Sequence, residues 1–345
     1  MSTATAEADE WADAPAARRP GRTAGAWIAA LLLLGVSTVV GCRIADTDGI
    51  TPVPQVIAFL PWLLAPTGLA LLLAALARWR VGLVWGVLAA AAVAWFIEPY
   101  GKTSDPKGTP VAELRVLTSN VEYGQATDEL IEIVRSEKPD LVFVEECETT
   151  CDEKLRRAFG GKQAEGARGT YPYRQAVEGY GSDGSVILSR YPLKPAPGVK
   201  GTMGMPGAIA DVKGREVRVQ LAHPMPPLPA HVDDWQRELR ALRDYAAADK
   251  TRPTILAGDF NASQDHAAFR RILDTGLRDG ARLTGDARTP TWPARTVPAF
   301  GTQIDHILVS KDFAANKARF LDLKNTDHRS LLLDVTLHER ESPRG

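Results

Sequence analysis

Polarity divides this chain into two regimes. From Ala24 it runs through three nearly uninterrupted apolar stretches, about Ala24 to Cys42, Val56 to Ala77 and Val81 to Ile97. Each approaches the roughly 20 residues that cross the hydrocarbon core of a bilayer. None shows the polar stripe of a surface helix, so three transmembrane helices are expected within 24–99. The third is the shortest, with Trp79 and Tyr100 as its outer limits. A cleaved signal peptide is the rival for the first stretch, but two further spans would anchor the chain regardless. Residues 1–23, rich in Ala, Glu, Asp and Arg, read as a disordered cytoplasmic tail. Residues 100–110 read as a Gly/Pro/Lys/Asp linker, and 111–340 as one large domain.

In that domain short apolar runs alternate with polar turns and amphipathic segments. Strands are expected at Glu113 to Ser119, Asp140 to Val144, Ser185 to Leu188, Glu216 to Leu221, Thr254 to Ala257, Gln303 to Val309 and Ser330 to Val335. The 3.6-residue apolar spacing predicts helices over Asp128 to Glu137, with Asp128 as a candidate cap, and over Asp233 to Ala248 and His266 to Thr275. Many strands with irregularly interspersed helices imply an α+β fold of two packed sheets with outer helices.

Basic residues orient the apolar part. Arg18, Arg19 and Arg22 precede the first span, and Arg78 and Arg80 separate the second from the third, whereas the first loop holds only Arg43 with Asp46 and Asp48. The positive-inside rule places the amino terminus in the cytoplasm and, with three spans, the large domain outside. Should the third span not insert, the domain stays inside. Formal net charge is -1 and the pI is about 6.6, so no global basic footprint advertises nucleic acid. A local basic cleft would still suffice. There are three cysteines, too few for a disulfide framework. Cys147 and Cys151 are spaced for a local bridge, and are either two thiols in a cytosolic domain or a disulfide in an external one.

Acidic motifs follow several of the apolar runs. They are Ser119-Asn120-Val121-Glu122, Val144-Glu145-Glu146, Gly258-Asp259-Phe260-Asn261, Ile304-Asp305-His306-Ile307 and Thr326-Asp327-His328-Arg329. Carboxylates hold a hard cation, amides orient oxygens, and a histidine handles a proton or a developing charge, so the set suits divalent-metal hydrolysis of a phosphate ester. Strand alternation sends His306 to the face opposite Asp305, which makes it a packing residue. His231, at the start of an amphipathic segment, also reads as structural. Asn261 on its own could equally cap a helix over Ala262 to Asp265 or stabilise a turn.

In content and order these motifs resemble the endonuclease/exonuclease/phosphatase superfamily, over roughly Leu114 to Leu337. Asn120 is similar to the family's first-strand asparagine, and Glu146 to its metal-binding glutamate, with Glu145 where a glutamine is usual. Ser185-Val186-Ile187-Leu188-Ser189-Arg190-Tyr191-Pro192 resembles its strand ending in Ser-Arg, and His223 falls at a strand-end histidine. Asp259 and Asn261 match Gly-Asp-x-Asn, Asp305 matches the aspartate that pairs with a histidine, and Asp327 and His328 match the terminal Ser-Asp-His with Thr326 replacing Ser. The resemblance implies a DNase I-like four-layer sandwich. It also implies a site in which Asn120, Glu122, Glu146 and Asp327 serve the metal, Mg²⁺ with Mn²⁺ as substitute. His223, Asp259, Asn261, Asp305 and His328 then serve catalysis.

Two proline-rich loops bear on the substrate. His223-Pro224-Met225-Pro226-Pro227-Leu228-Pro229 and Thr289-Pro290-Thr291-Trp292-Pro293-Ala294-Arg295 bring Met225, Leu228, Trp292 and Arg295 near the motifs, as a substrate wall or as ordinary loop packing. An anchor followed by an external domain of this superfamily resembles the actinobacterial VanJ-type proteins linked to teicoplanin resistance. That implies lipid-linked, undecaprenyl-type phosphate as substrate and the membrane as partner. A sphingomyelinase-like phosphodiesterase or extracellular nuclease is the alternative, and a non-enzymatic scaffold the third reading.

Overall fold

The fold is that of a computed structural model, which describes residues 20–97, 106, 108–160, 170–297 and 299–340. Most of the expected tail (1–19) and of the linker (100–105 and 107) lies outside the described residues, as do 98–99 at the end of the transmembrane region; the tail's last residues open the first helix.

The apolar stretches form α1 (Pro20–Ile44), α2 (Val53–Ile57), α3 (Leu64–Leu76, preceded by a 3-10 turn at Leu60–Leu63) and α4 (Arg80–Ile97). Two helices, Arg22–Ile44 and Arg80–Ile97, are long and apolar enough to cross a membrane, while Leu60–Leu76 is shorter. The second stretch therefore does not start as one helix near Val56. Pro61 removes a backbone donor inside it, Pro52 and Pro54 start a separate short helix, and the chain breaks into α2, the turn and α3. Among the described residues, 20–40 with Pro61–Phe96 forms one compact unit. Gly41–Leu60 belongs to the other, with the described residues from Ile97 onward.

The larger unit contains β1 (Pro110–Asn120), α5 (Thr127–Glu137), β2 (Leu141–Glu145), α6 (Thr149–Phe159), β3 (Tyr173–Val177), β4 (Ser185–Ser189), β5 (Leu193–Val199), β6 (Met205–Val212) and β7 (Arg215–Ala222). There follow α7 (Val232–Ala248), β8 (Thr254–Asp259), α8 (Ala267–Leu273), β9 (Arg278–Asp279), α9 (Gly280–Thr284), β10 (Asp305–Val309), β11 (Phe313–Asp322) and β12 (Arg329–His338). Asp128 lies in the first turn of α5 and is not its cap, which is Ala126 with no side-chain bond. No helix forms over 262–265.

The strands make two mixed six-stranded sheets, β11-β12-β1-β2-β4-β3 and β5-β6-β7-β8-β10-β9. One apolar cluster, including Val116, Phe143, Ile187, Val219, Ile255, Ile307 and Leu333, fills the space between them. A second packs α5 and α6 on the first sheet through Leu130, Val134, Leu155 and Phe159. A third packs α7 and α8 on the second through Trp235, Leu239, Phe269 and Ile272. The result is four layers, helix, sheet, sheet, helix. Phe143 is wholly buried, and truncating such a core phenylalanine costs about 3–5 kcal/mol.

Register fixes where the polar motifs end up. β1 and β2 run parallel with Asn120 opposite Glu145. β7 and β8 run parallel with Ala222 opposite Gly258, and β8 and β10 run antiparallel with Asp259 opposite Asp305. The carboxyl ends of β1, β2, β7 and β8 and the start of β10 thus share one end of the sandwich. Gly258 permits this closeness: its φ is 151°, and a Cβ there would lie 2.0 Å from the Ala222 carbonyl oxygen.

Candidate active site

After β2 and after β8 the chain departs from regular strand backbone, and that departure aims the side chains that follow. A strand sends successive side chains to opposite faces. Glu146, just past β2, takes a left-handed φ of 55° and breaks the alternation, so both Glu145 and Glu146 reach the cluster. Asn261, after β8, does the same with φ 47°. Such conformations cost non-glycine residues energy and persist where surrounding bonds hold them. Here the Tyr123 amide donates to Glu146 Oε2 at 3.1 Å, and Asn120 Nδ2 donates to Glu146 Oε1 at 3.1 Å. The Asn261 amide donates to Asp259 Oδ1 at 2.8 Å, and its side-chain Nδ2 to the Pro224 carbonyl at 3.0 Å.

Asn120 is the central amide. Its Nδ2 also lies 3.2 Å from Asp259 Oδ2, and its Oδ1 accepts from the Glu122 amide at 3.0 Å. Thr326 Oγ1 donates to the Asn120 carbonyl and accepts from the His328 amide, so the threonine that stands for serine in the last motif ties β1 to His328. The His328 ring is gripped on both sides. Its Nδ1 is 3.0 Å from Asp305 Oδ2, while Nε2 is 3.7 Å from Asp259 and 3.8 Å from Asp327. His223 Nε2 is 4.0 Å from Glu146 Oε1, and its Nδ1 is buried without a partner.

Electrostatics follows from burial among charges. Burial alone would depress the His328 imidazolium, but the Asp305 and Asp259 carboxylates overcome it and raise its pKa to about 10. Burial pushes the Asp259 carboxyl up to about 7, with Asp305 adding to the rise and His328 opposing it. Burial also raises Glu146, against the Asn120 hydrogen bond and the His328 charge. His223 falls to about 3, through burial and then the neighbouring His328 charge. Glu145 is wholly buried, accepts a 2.9 Å bond from Thr118 Oγ1, and is raised well above the ordinary range by burial and by Asp305. Burial thus disfavours its charged form, and in shape it is isosteric with the glutamine expected at its position.

Asp259, Asp305 and His328 offer ligand atoms within 4.8 Å of one another. The short Asp305–His328 bond and the raised His328 pKa make that arrangement a proton site. The oxygen acceptors suited to a hard cation are Glu146 and Asp259, joined by Asn120, with Asp327 and Glu122 at the rim. Asp305 Oδ1 is a buried acceptor without a partner, so the pocket carries an acceptor that its own donors leave unsatisfied, as a cation-binding pocket would.

The structure thus brings together Asn120, Glu146, His223, Asp259, Asn261, Asp305, Asp327 and His328. Glu122 is also present, but its carboxylate is held by Arg295 at 3.0 and 2.6 Å, so the basic residue expected to meet substrate is paired. Trp292 Nε1 donates to Asp327 Oδ2 at 2.9 Å, a link the sequence did not reveal. His306 points away, bonded to Asp279 and to the Ala262 carbonyl, and His231 pairs with Asp234 at the start of α7. Cys147, next to Glu146, forms a disulfide with Cys151 in the first turn of α6.

A cavity of about 600 Å³ opens over this cluster; its walls include Met225, Leu228 and Trp292. Unexpectedly, they also include Pro54, Ala58 and Phe59, from a stretch that reads as an inter-span loop and the start of a span.

An imidazolium clasped by an aspartate, beside acidic acceptors at one end of two packed sheets, defines a metal-dependent phosphoric ester hydrolase of DNase I-like fold. Residues 117–328 match the Endonuclease/Exonuclease/phosphatase family, and the chain belongs to it. The fold is similar to an endonuclease/exonuclease/phosphatase from Beutenbergia cavernae (20% identity, 66% of this chain and 72% of that one, TM-score 0.52). It is also similar to a Neisseria 3' phosphatase bound to product DNA hairpin (17% identity, 66% and 100%, TM-score 0.53). An AP endonuclease from Archaeoglobus fulgidus aligns at 17% identity over 64% and 98%, with TM-score 0.51. No curated protein matches the chain by sequence.

Proposed function

We propose that this protein is a membrane-anchored, outward-facing, Mg²⁺-dependent phosphoesterase of the VanJ type. It hydrolyses lipid-linked phosphate or pyrophosphate of the undecaprenyl kind, in cell-envelope metabolism or glycopeptide resistance. The carrying observation is the cavity's composition: carboxylates and His328 at its base, apolar side chains on its wall, and no Lys or Arg among the described residues that line it. A nucleic-acid cleft lines its path with basic groups; a phosphate on a hydrocarbon chain needs only one polar end.

Glu146 and the Asn120 amide oxygen, with Glu122 and Asp327 as further oxygen donors, are assigned to the metal. When bound, Mg²⁺ (or Mn²⁺) supplies positive charge against a phosphoryl oxygen. Asp259, with a pKa near 7, accepts the proton of the attacking water while oxygen bonds to phosphorus and the P–O bond to the leaving group breaks. Asn261 fixes Asp259 through its backbone amide. His328 donates Nε2–H to a phosphoryl oxygen and stays charged because Asp305 holds Nδ1–H. His223, neutral at ordinary pH, acts as a hydrogen-bond partner to phosphate and not as a charged acid.

Three apolar helices, Arg78 and Arg80 between the second and third, and a disulfide of the kind that persists in oxidising compartments support the outward topology. The alternative is a nuclease or sphingomyelinase-like phosphodiesterase. It is favoured by the relative solved with a DNA hairpin. The test is phosphate release by the purified full chain with Mg²⁺, comparing undecaprenyl pyrophosphate, sphingomyelin, nucleotides and plasmid DNA. Release from the lipid pyrophosphate is expected. Efficient DNA cleavage that falls steeply with salt, with no release from lipid, would reject the proposal.

A further inference from the structure

The segment Gly41–Leu60 lies between two apolar helices in sequence, yet it belongs to the catalytic unit, and its attachment is not that of a passive connector. Asp48 is 1% exposed; its two carboxylate oxygens accept from Gln236 Nε2 and the Ala268 amide, each at 3.0 Å. Asp46 pairs with Arg270 and Arg271. Buried His266 accepts the Ser263 amide at Nδ1, so Nε2 carries the proton and donates to the Pro54 carbonyl at 2.8 Å. Gln55 donates to the Pro227 carbonyl, and Thr302 Oγ1 to the Ala58 carbonyl at 2.7 Å. The segment is thus bonded to α7, α8, the loop after His223 and the loop before Asp305.

These bonds hold the segment against the cavity, where Gln55 adds one amide to an otherwise apolar contribution. Pro54, Ala58 and Phe59 line the same space as Glu146, Asp259 and His328. Phe59 lies 6.3 Å from the Trp292 ring and 5.6 Å, stacked, from Phe300. Trp292 in turn bonds Asp327, so Trp292 links the acidic base of the cavity to Phe59, with Met225 and Leu228 also in the wall. A loop that merely joined two helices would need neither a doubly bonded buried aspartate nor a phenylalanine turned toward the site.

We propose that Pro54, Ala58 and Phe59 form a chain-binding subsite that selects substrates by the hydrocarbon next to the phosphate. This rests on the lipid-phosphate reading above and adds to it which residues read the lipid. The subsite takes the first carbons of an alkyl or isoprenyl chain, laid between Phe59 and the wall of Met225 and Trp292. Each buried methylene contributes about 0.8 kcal/mol, so occupancy of the subsite appears as chain-length preference.

The experiment uses the full-length chain in detergent with Mg²⁺ and reads kcat/KM for ethyl diphosphate and decyl diphosphate by phosphate release. Wild type should prefer the decyl substrate. In Phe59→Ala the decyl-to-ethyl ratio should fall about tenfold or more, and Phe59→Leu should recover most of it. Ala58→Trp, which fills the subsite, should also lower the decyl-to-ethyl ratio. The ratio is internal to each variant, so partial loss of folded protein does not disturb it. A wild-type preference that Phe59→Ala and Ala58→Trp both leave intact overturns the subsite while sparing the lipid-phosphate reading. Absence of chain-length preference in wild type overturns the subsite too. Inactivity on both diphosphates alongside cleavage of DNA overturns that reading and the subsite with it.

Discussion

Asp305 Oδ2 lies 3.0 Å from His328 Nδ1 at the buried end of the sandwich, and Asp305 stands in register opposite Asp259 on the adjacent strand. The aspartate that orients the histidine and the aspartate assigned to water are therefore fixed by one pair of strands. Asp305→Asn and His328→Ala should each lower kcat by about a hundredfold or more, the scale of losing acid–base help or an oxyanion donor. Steady-state kinetics on any accepted phosphate ester measures this. His328→Ala with near wild-type kcat would refute the assignment.

The same pair sets a pH dependence. The folded pKa of His328, about 10, lies above the roughly 6.5 of an unfolded histidine. Its proton therefore favours the fold: the contribution is complete below about 6.5 and is lost as pH rises toward 10. Melting temperatures of the metal-free protein should fall across that window, and more shallowly in Asp305→Asn. Parallel curves for the two proteins would show that the pair does not hold the proton.

Removal of divalent cations should abolish turnover, and Mg²⁺ or Mn²⁺ should restore it. Glu146 and Asp259 crowd negative charge together, so a cation that binds only the folded state also raises the melting temperature with concentration. Glu146→Gln should flatten that titration while leaving the metal-free melting temperature close to wild type. Full activity in EDTA would remove the metal from the mechanism.

Glu145 and Glu146 are neighbours with opposite expectations. Glu145 is wholly buried, and burial disfavours its charged form, so Glu145→Gln should preserve both stability and kcat. Glu145→Ala leaves Thr118 Oγ1 unpaired and a void, and should cost about 1–3 kcal/mol in denaturant melts. A hundredfold activity loss in Glu145→Gln would mean that the residue works as a charged group.

His306 is the internal control. It bridges Asp279 and the Ala262 carbonyl in the second sheet's outer layer. His306→Ala should cost about 1–3 kcal/mol of stability through the unpaired buried groups and keep most of its kcat where folded.

The sandwich and the catalytic cluster were legible because central strands are continuous apolar runs that end in their own polar motif. Alternation alone told Asp305 from His306. The edge strands were not legible: Leu193–Val199 carries Pro195, Pro197 and Gly198, residues that read as loop and are tolerated where one strand side lacks a partner. Tyr173–Val177 is an edge strand too, with no fully buried position to mark it. The upward pKa shift of Glu145 depends on burial beside Asp305, which no local pattern encodes. Pairing of Arg295 with Glu122 joins residues far apart in the chain. The stretch from Asp46 to Pro54 reads as an aspartate- and proline-containing connector, and only its partners on α7 and α8 reveal otherwise.

That stretch also redraws what can be cut from the gene as a working piece. A fragment starting at residue 98 contains every residue assigned to chemistry and the whole span that matches the family. It nevertheless strips Asp48 from Gln236 and the Ala268 amide, the Pro54 carbonyl from His266, and the Ala58 carbonyl from Thr302. A soluble excerpt would expose orphaned donors where the intact chain has a wall. The functional hydrolase is discontinuous in sequence, and swapping it between relatives requires moving both pieces together.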